Sequence, residues 1–252
     1  MILAANKYGS SAARLPLYEY SGTAPLFFRD SRGNWELVFT GDCAVSFSRL
    51  NGPVDIFAVG GGMPAGDSVG NASNGYALGG SGGKGGGCVT ALGLTLTPGT
   101  RYPVQIGQSS LSTSAFGLTA PAGGGANGGS GALTPGSPGG SGGDGVLAFG
   151  SGGTLYEAGT PIRFGAGGGG GAAKGVWGGT LLPAGAGGAT GGGAGGSGGT
   201  DESLDAKNGC PNTGGGGGGA SRNNETGSPG NFPGPGKGGS GIVILRNARE
   251  SS

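Results

Sequence analysis

The chain contains no histidine, and that absence alone excludes a large part of enzyme chemistry. Without an imidazole there is no Ser-His-Asp or Cys-His relay, and the commonest protein ligand for transition metals is missing. Charge is sparse as well: 14 basic and 13 acidic residues leave a net charge of +1, and the signs are scattered. A nucleic-acid binder gathers Lys and Arg into a patch that neutralises phosphates, and no such patch is found. No window approaches the roughly 20 apolar residues of a membrane span. The start Met1-Ile2-Leu3-Ala4 has no basic region followed by a long apolar stretch, so no secretory signal is expected. A product working outside a cell would then leave by assembly into a particle or by lysis.

Cysteine is scarce too. Cys43, Cys88 and Cys210 are far apart and odd in number, whereas disulfide frameworks and zinc sites use pairs at short spacing. They read as small buried residues, with one long-range disulfide as the alternative. Neither a metal site nor a cofactor is expected. Paired carboxylates for glycosidase chemistry are also wanting, because Asp201, Glu202 and Asp205 share one insert and read as solvated loop charge. Lys84 and Lys237 follow glycine, but neither precedes Ser or Thr, so the phosphate-loop pattern fails. The expectation is a protein that is not an enzyme.

What the chain has in excess is glycine, 71 of 252 residues, with 15 prolines. That is about four times ordinary glycine usage. Collagen requires Gly at every third position without interruption, and the continuous runs at 167–171 and 214–219 break that rule. Disorder is the other reading of such a composition, but 34% of the residues are hydrophobic, and they fall into strand-like runs. Strands are expected near 35–39, 44–48, 54–59, 88–97, 102–106 and 242–246. In the second of these, Val45 and Phe47 alternate with Ala44, Ser46 and Ser48, placing the large side chains on one face. Pro98-Gly99-Thr100 suits a tight turn, so 88–97 and 102–106 are expected to form a β-hairpin. Ile242-Val243-Ile244-Leu245 reads as a strand covered on both sides, bringing the chain back to the sheet after the glycine excursion.

An ordered glycine run must find partners outside itself for every N–H and C=O. Neighbouring extended glycine helices can supply them, since the missing Cβ lets backbones approach closely. Candidate segments are 79–87, 123–131, 136–145, 165–171, 185–199, 214–219 and 234–241, with 185–199 long enough to run further or to bend. The expected fold is therefore all-β plus polyglycine II: a small antiparallel β-sandwich packed with a bundle of extended left-handed polyglycine helices, without substantial α-helix. Three parts are expected: an N-terminal attachment segment at 1–33, a glycine-rich domain at 34–247 and a short tail at 248–252. In the first part, Tyr18, Tyr20, Phe27 and Phe28 read as core residues or as a docking surface.

The order Val54-Asp55-Ile56-Phe57-Ala58-Val59-Gly60-Gly61-Gly62, then 94–107 with Thr97-Pro98-Gly99-Thr100-Arg101-Tyr102 at its centre, then Gly239-Ser240-Gly241-Ile242-Val243-Ile244-Leu245-Arg246, resembles the glycine-rich domains of bacteriophage tail and tail-fibre proteins. In architecture it is similar to the distal tail-fibre adhesins of T-even-type phages. That resemblance implies a virion protein in the tail or tail fibre, made in the host cytoplasm, that carries recognition loops on a polyglycine scaffold. Its partners would be other virion or fibre proteins, copies of itself, and a bacterial surface receptor, either a glycan or an outer-surface protein. Nucleic acid and membrane insertion are not expected. Loop-borne aromatics, amides and charges suit such recognition, and the candidate receptor-binding residues are Tyr156, Trp177, Asp201, Glu202, Asp205, Arg222, Asn223, Asn224 and Phe232. A purely structural virion or filament-forming subunit is the alternative.

Overall fold

The computed structural model describes residues 15–67, 69–71, 76–131, 138–150, 154–157, 161–172, 184–189, 191–193, 206–220 and 234–248. The described strands begin with β1 (Leu17–Gly22), β2 (Leu26–Arg29), β3 (Trp35–Phe39), β4 (Cys43–Arg49), β5 (Val54–Val59), β6 (Val69–Asn71) and β7 (Tyr76–Leu78). They continue with β8 (Cys88–Leu94), β9 (Arg101–Gln105), β10 (Thr113–Ala115), β11 (Leu118–Ala120), β12 (Val146–Leu147), β13 (Arg163–Phe164) and β14 (Ile242–Asn247). One 3-10 turn, Leu155–Glu157, is present, and there is no α-helix among the described residues.

Two five-stranded antiparallel sheets, β1-β4-β9-β10-β11 and β2-β3-β14-β5-β8, enclose a common core in the manner of a sandwich. The expected alternation in β4 is observed, with Cys43, Val45 and Phe47 turned into that core. β14 is the central strand of the second sheet, and its apolar run is buried on both faces. Val243 and Leu245 join Leu37, Phe39, Ile56 and Ala58 between the sheets, while Ile242 and Ile244 join Val38, Phe57 and Val59 on the outer side. Burying each of the Val, Leu, Ile and Phe side chains among them stabilises the fold by about 1.5–3 kcal/mol. The outer cluster is closed by Ala148, Phe149, Tyr156, Ile162 and Phe164, from the segment around β12 and β13.

Two expectations need correction. The 88–97 and 102–106 strands do not form a hairpin: β8 pairs with β5 in one sheet and β9 with β4 and β10 in the other. The Pro98-Gly99 turn is real, but it bridges the sheets as an arch. Leu96 enters the common core, and the Gly99 N–H donates to the Phe47 carbonyl at 2.8 Å, tying the turn to the first sheet. Nor do the sheets stop at residue 34. β1 pairs with β4 and β2 with β3, so residues 17–29 supply an edge strand to each sheet. Tyr18 and Phe27 pack on the common core and Phe28 on the outer cluster.

From Gly60 the chain leaves the sheets and builds a bundle of extended segments, numbered here g1 (60–67), g2 (79–87), g3 (123–131), g4 (138–145), g5 (165–172), g6 (184–189), g7 (191–193), g8 (206–210), g9 (214–220) and g10 (234–241). Backbone bonds run between segments and repeat every three residues. Along g5, the N–H groups of Gly167, Gly168 and Gly169 donate to Gly143 of g4, Gly83 of g2 and Gly193 of g7; Gly170 and Gly171 then return to Gly140 of g4 and Gly80 of g2. The carbonyls of g5 accept from g3 (Ala126, Gly129), g6 (Gly188, Gly185) and g9 (Gly216, Gly219), giving it six neighbours. The other central segment, g9, also has six: g1, g2, g5, g7, g8 and g10.

Exposure follows the same period. All residues of g5 and g9 are buried, whereas the outer segments expose Pro64 and Asp67, Ser81 and Lys84, Gly124, Asn127 and Ser130. The series continues with Pro138, Ser141 and Asp144, Ala186 and Ala189, Lys207 and Cys210, Gly234 and Lys237; Gly143 and Asn208 alone fall out of step. Within these segments alanine is buried only near the ends, at Ala166, Ala172 and Ala220, and the inward glycines between leave no room for a side chain. A Cβ on Gly168 would land on the Gly217 carbonyl, and one on Gly216 on the Gly83 carbonyl, both far inside 3.0 Å.

Candidate functional site

The direction of each segment follows from its partners. Gly60, Met63 and Gly66 of g1 donate to Gly87, Lys84 and Ser81 of g2, so these two are antiparallel. Gly80, Gly83 and Gly86 of g2 donate to Ala220, Gly217 and Gly214, so g2 and g9 are antiparallel as well, while Ala126 and Gly129 of g3 meet Gly165 and Gly168 of g5 in parallel. Carried round the bundle, this pattern makes g1, g3, g5, g7 and g9 run away from the sheets and g2, g4, g6, g8 and g10 run back. The chain thus makes five excursions. The 185–199 stretch is two segments rather than one, because g6 reaches the near end at Gly188, bonded to Gly167, and the chain reverses before Gly193 bonds to Gly216.

Every outward segment is linked to the next inward one by an insert, at 68–78, 132–137, 173–183, 194–205 and 221–233. The flanks of these inserts meet at the far end, as Gly66 bonds to Ser81, Gly140 to Ser130, Gly185 to Gly170, Gly171 to Gly80, Gly80 to Ala220, and Gly218 to Lys207. Part of the first insert is described, an antiparallel ribbon of β6 and β7. Trp177, Asp201, Glu202, Asp205, Arg222, Asn223, Asn224 and Phe232 lie outside the described residues; what is described is that the segments flanking their inserts end together. The 173–183 and 221–233 inserts follow in sequence the two central segments, g5 and g9, whose far ends are joined through Gly80. The 194–205 insert follows g7, which lies between those two segments, since Gly193 accepts from Gly169 and donates to Gly216. Residues 206–210, which follow Asp205 directly, are a bundle segment bonded to g7, g9 and g10.

Tyr156 stands apart from the other candidates. Its turn lies at the near end on the outer face of the second sheet, where the Leu155 and Tyr156 N–H groups donate to Glu36 Oε2 at 2.6 and 3.2 Å. Its ring meets Phe28 edge-on with centroids 5.8 Å apart. A buried carboxylate that accepts two amides holds this turn against the sheet. Beside it, the Arg246 guanidinium pairs with Asp55 at 3.1 Å and lies 3.8 Å from the centre of the Phe149 ring. Glu36, Asp55 and Arg246 are each a single charge inside an apolar strand. Removing one member of a buried pair costs about 3–5 kcal/mol.

Burial makes Cys43 and Cys88 poor nucleophiles. All three cysteines are free; burial, with the charge of Asp42, raises Cys43 to about 11, and burial raises Cys88 to about 12. Cys210, in contrast to the expectation of burial, is exposed. Among the described residues no group of three or more His, Cys, Asp or Glu side chains is placed to hold a metal, and no helix is long and apolar enough to cross a membrane. No family model matches the chain, and no curated protein or solved structure matches it.

Proposed function

We propose that the chain is a bacteriophage tail-fibre or tail-tip adhesin whose glycine segments are polyglycine II helices and whose far end binds a receptor on the bacterial surface. The observation that carries the reading is the common origin of five inserts at one end of the bundle. At the opposite pole, β1 starts at Leu17 beside Arg49, and β14 ends at Asn247 beside Val54. One pole joins the virion and the other meets the host. The three-residue repeat of hydrogen bonds and exposure supports polyglycine II, which has three residues per turn. At about 3.1 Å per residue, g1 from 60 to 66 spans roughly 19 Å and holds the inserts well clear of the sandwich.

The chemistry of the inserts fits a polar surface ligand. Trp177 and Phe232 offer rings that stack on sugars, Asn223 and Asn224 offer amides, and Asp201, Glu202 and Asp205 form an acidic flank. The test compares the labelled full chain with a variant whose 221–233 insert is replaced by a Gly-Ser linker of equal length, on a panel of bacterial strains read by flow cytometry. Strain-selective binding that the replacement abolishes, with an unchanged circular dichroism spectrum, supports the proposal. Binding to no strain, or equal binding by both chains, overturns it and favours a purely structural virion subunit.

A further inference from the structure

The outermost segments of the bundle face a problem that the central ones do not. A backbone whose bonds point to neighbours in three directions still presents donors and acceptors on its open side, as the edge strand of a sheet does. Another glycine segment could settle there and extend the lattice. In this chain the exposed position of each three-residue turn is where charge and amide occur: Asp67, Lys84, Asn127, Asp144, Lys207 and Lys237 are all exposed on outer segments. The fully buried g5 and g9 carry no charged residue.

A second observation points the same way. Where the lattice ends, side chains accept backbone amides in place of a missing neighbour. Asp144 Oδ1 accepts the Ala189 N–H at 2.9 Å, Asn208 Oδ1 the Lys237 N–H at 2.8 Å, and Ser109 Oγ the Gly238 N–H at 3.2 Å. We propose that these outward side chains terminate the glycine lattice, and that the wall they guard would otherwise accept a second copy of this chain, glycine segment against glycine segment. Side chains block close approach, and their charge keeps a docking backbone hydrated. A bare outer wall of glycine has neither defence.

The test removes the guard from one wall. In Ser81→Gly/Lys84→Gly/Asn127→Gly/Ser130→Gly the exposed face of g2 and g3 becomes all glycine, and sedimentation velocity of the full chain is followed against concentration. The expected result is a mass that rises with concentration to multiples of the monomer, while the parent chain and a Lys84→Glu/Asn127→Asp control keep a constant mass. If the fourfold variant does not give the native circular dichroism spectrum, Lys84→Gly/Asn127→Gly takes its place, with the same but weaker association expected. A folded glycine-walled variant that sediments like the parent at every concentration overturns the proposal, and so does association of the charged control to the same extent.

Discussion

The sandwich and the glycine bundle solve the same problem by opposite means. The sandwich is held by side chains: Phe47, Ile56, Val243 and Leu245 fill one cluster, and their burial drives folding. The bundle has almost no side chains to bury. It is held by backbone bonds such as Gly168 to Gly83 and Gly219 to Gly169, at 2.9 and 2.8 Å, each made because nothing stands between the chains. Glycine loses the most entropy on ordering, so the bundle depends on making these bonds together. The lesson is that tolerance differs. A core side chain can shrink at a graded cost, whereas an inward glycine admits no addition.

The sharpest break in that comparison comes from adding one methyl group to the bundle. Gly168→Ala places a Cβ on the Gly217 carbonyl, and a loss of at least about 4–5 kcal/mol, or failure to fold, is expected in denaturant titration. A Gly168→Ala chain as stable as its parent removes the close-packed lattice from the account. Next in size is Phe57→Ala. Phe57 meets Phe164 at 5.3 Å and Phe149 at 5.7 Å between ring centroids, and its truncation should cost about 3–5 kcal/mol. Because Phe164 leads directly into g5, this change should also lower the amide protection of Gly167 and Gly168.

Smaller effects sharpen the contrast. Cys88 sits where β8 leaves the bundle, and its pKa is raised by burial from 9.0 to about 12. A raised folded pKa means that its contribution to stability is complete below about pH 9 and is lost as pH rises towards 12. Cys88→Ala should therefore flatten the alkaline fall in stability, measured by urea midpoints at a series of pH values. Alkylation at pH 8 should modify Cys210 well before Cys43 or Cys88, as a mass map would show. Smallest of all is Gly234→Ala at the far end of g10, where a Cβ meets nothing within 4 Å. It should change stability by no more than about 0.5 kcal/mol.

These differences also govern what could be read from sequence. Trp35–Phe39 and Val54–Val59 match their expected limits, because alternation and β-branched runs are local signals. The arch after β8 could not be told from a hairpin, since Pro98-Gly99 serves either turn and the deciding contact, Leu96 in the core, is distant in sequence. Segments g1 and g8 were hidden for another reason. They hold Met63, Pro64, Ala65, Lys207 and Asn208, so no long run of glycine marks them in the sequence. Of the candidate site, the composition of the inserts was legible, but the convergence of the segments that flank them was not, because it follows from pairing between residues up to 177 positions apart, such as Gly62 with Gly239 and Gly80 with Ala220. That Tyr156 lies apart from the inserts was not legible either, because nothing local shows that Glu36 would hold its turn against the sheet.

Amide hydrogen exchange on the native chain tests the central claim most directly. If the bundle is a backbone-bonded solid, the amides of Gly167 to Gly171 and Gly216 to Gly219 should exchange as slowly as those of Ile244 and Leu245 in the middle of the sandwich. Exchange of those glycine amides at the rate of an unstructured chain, with β14 still protected, would contradict it.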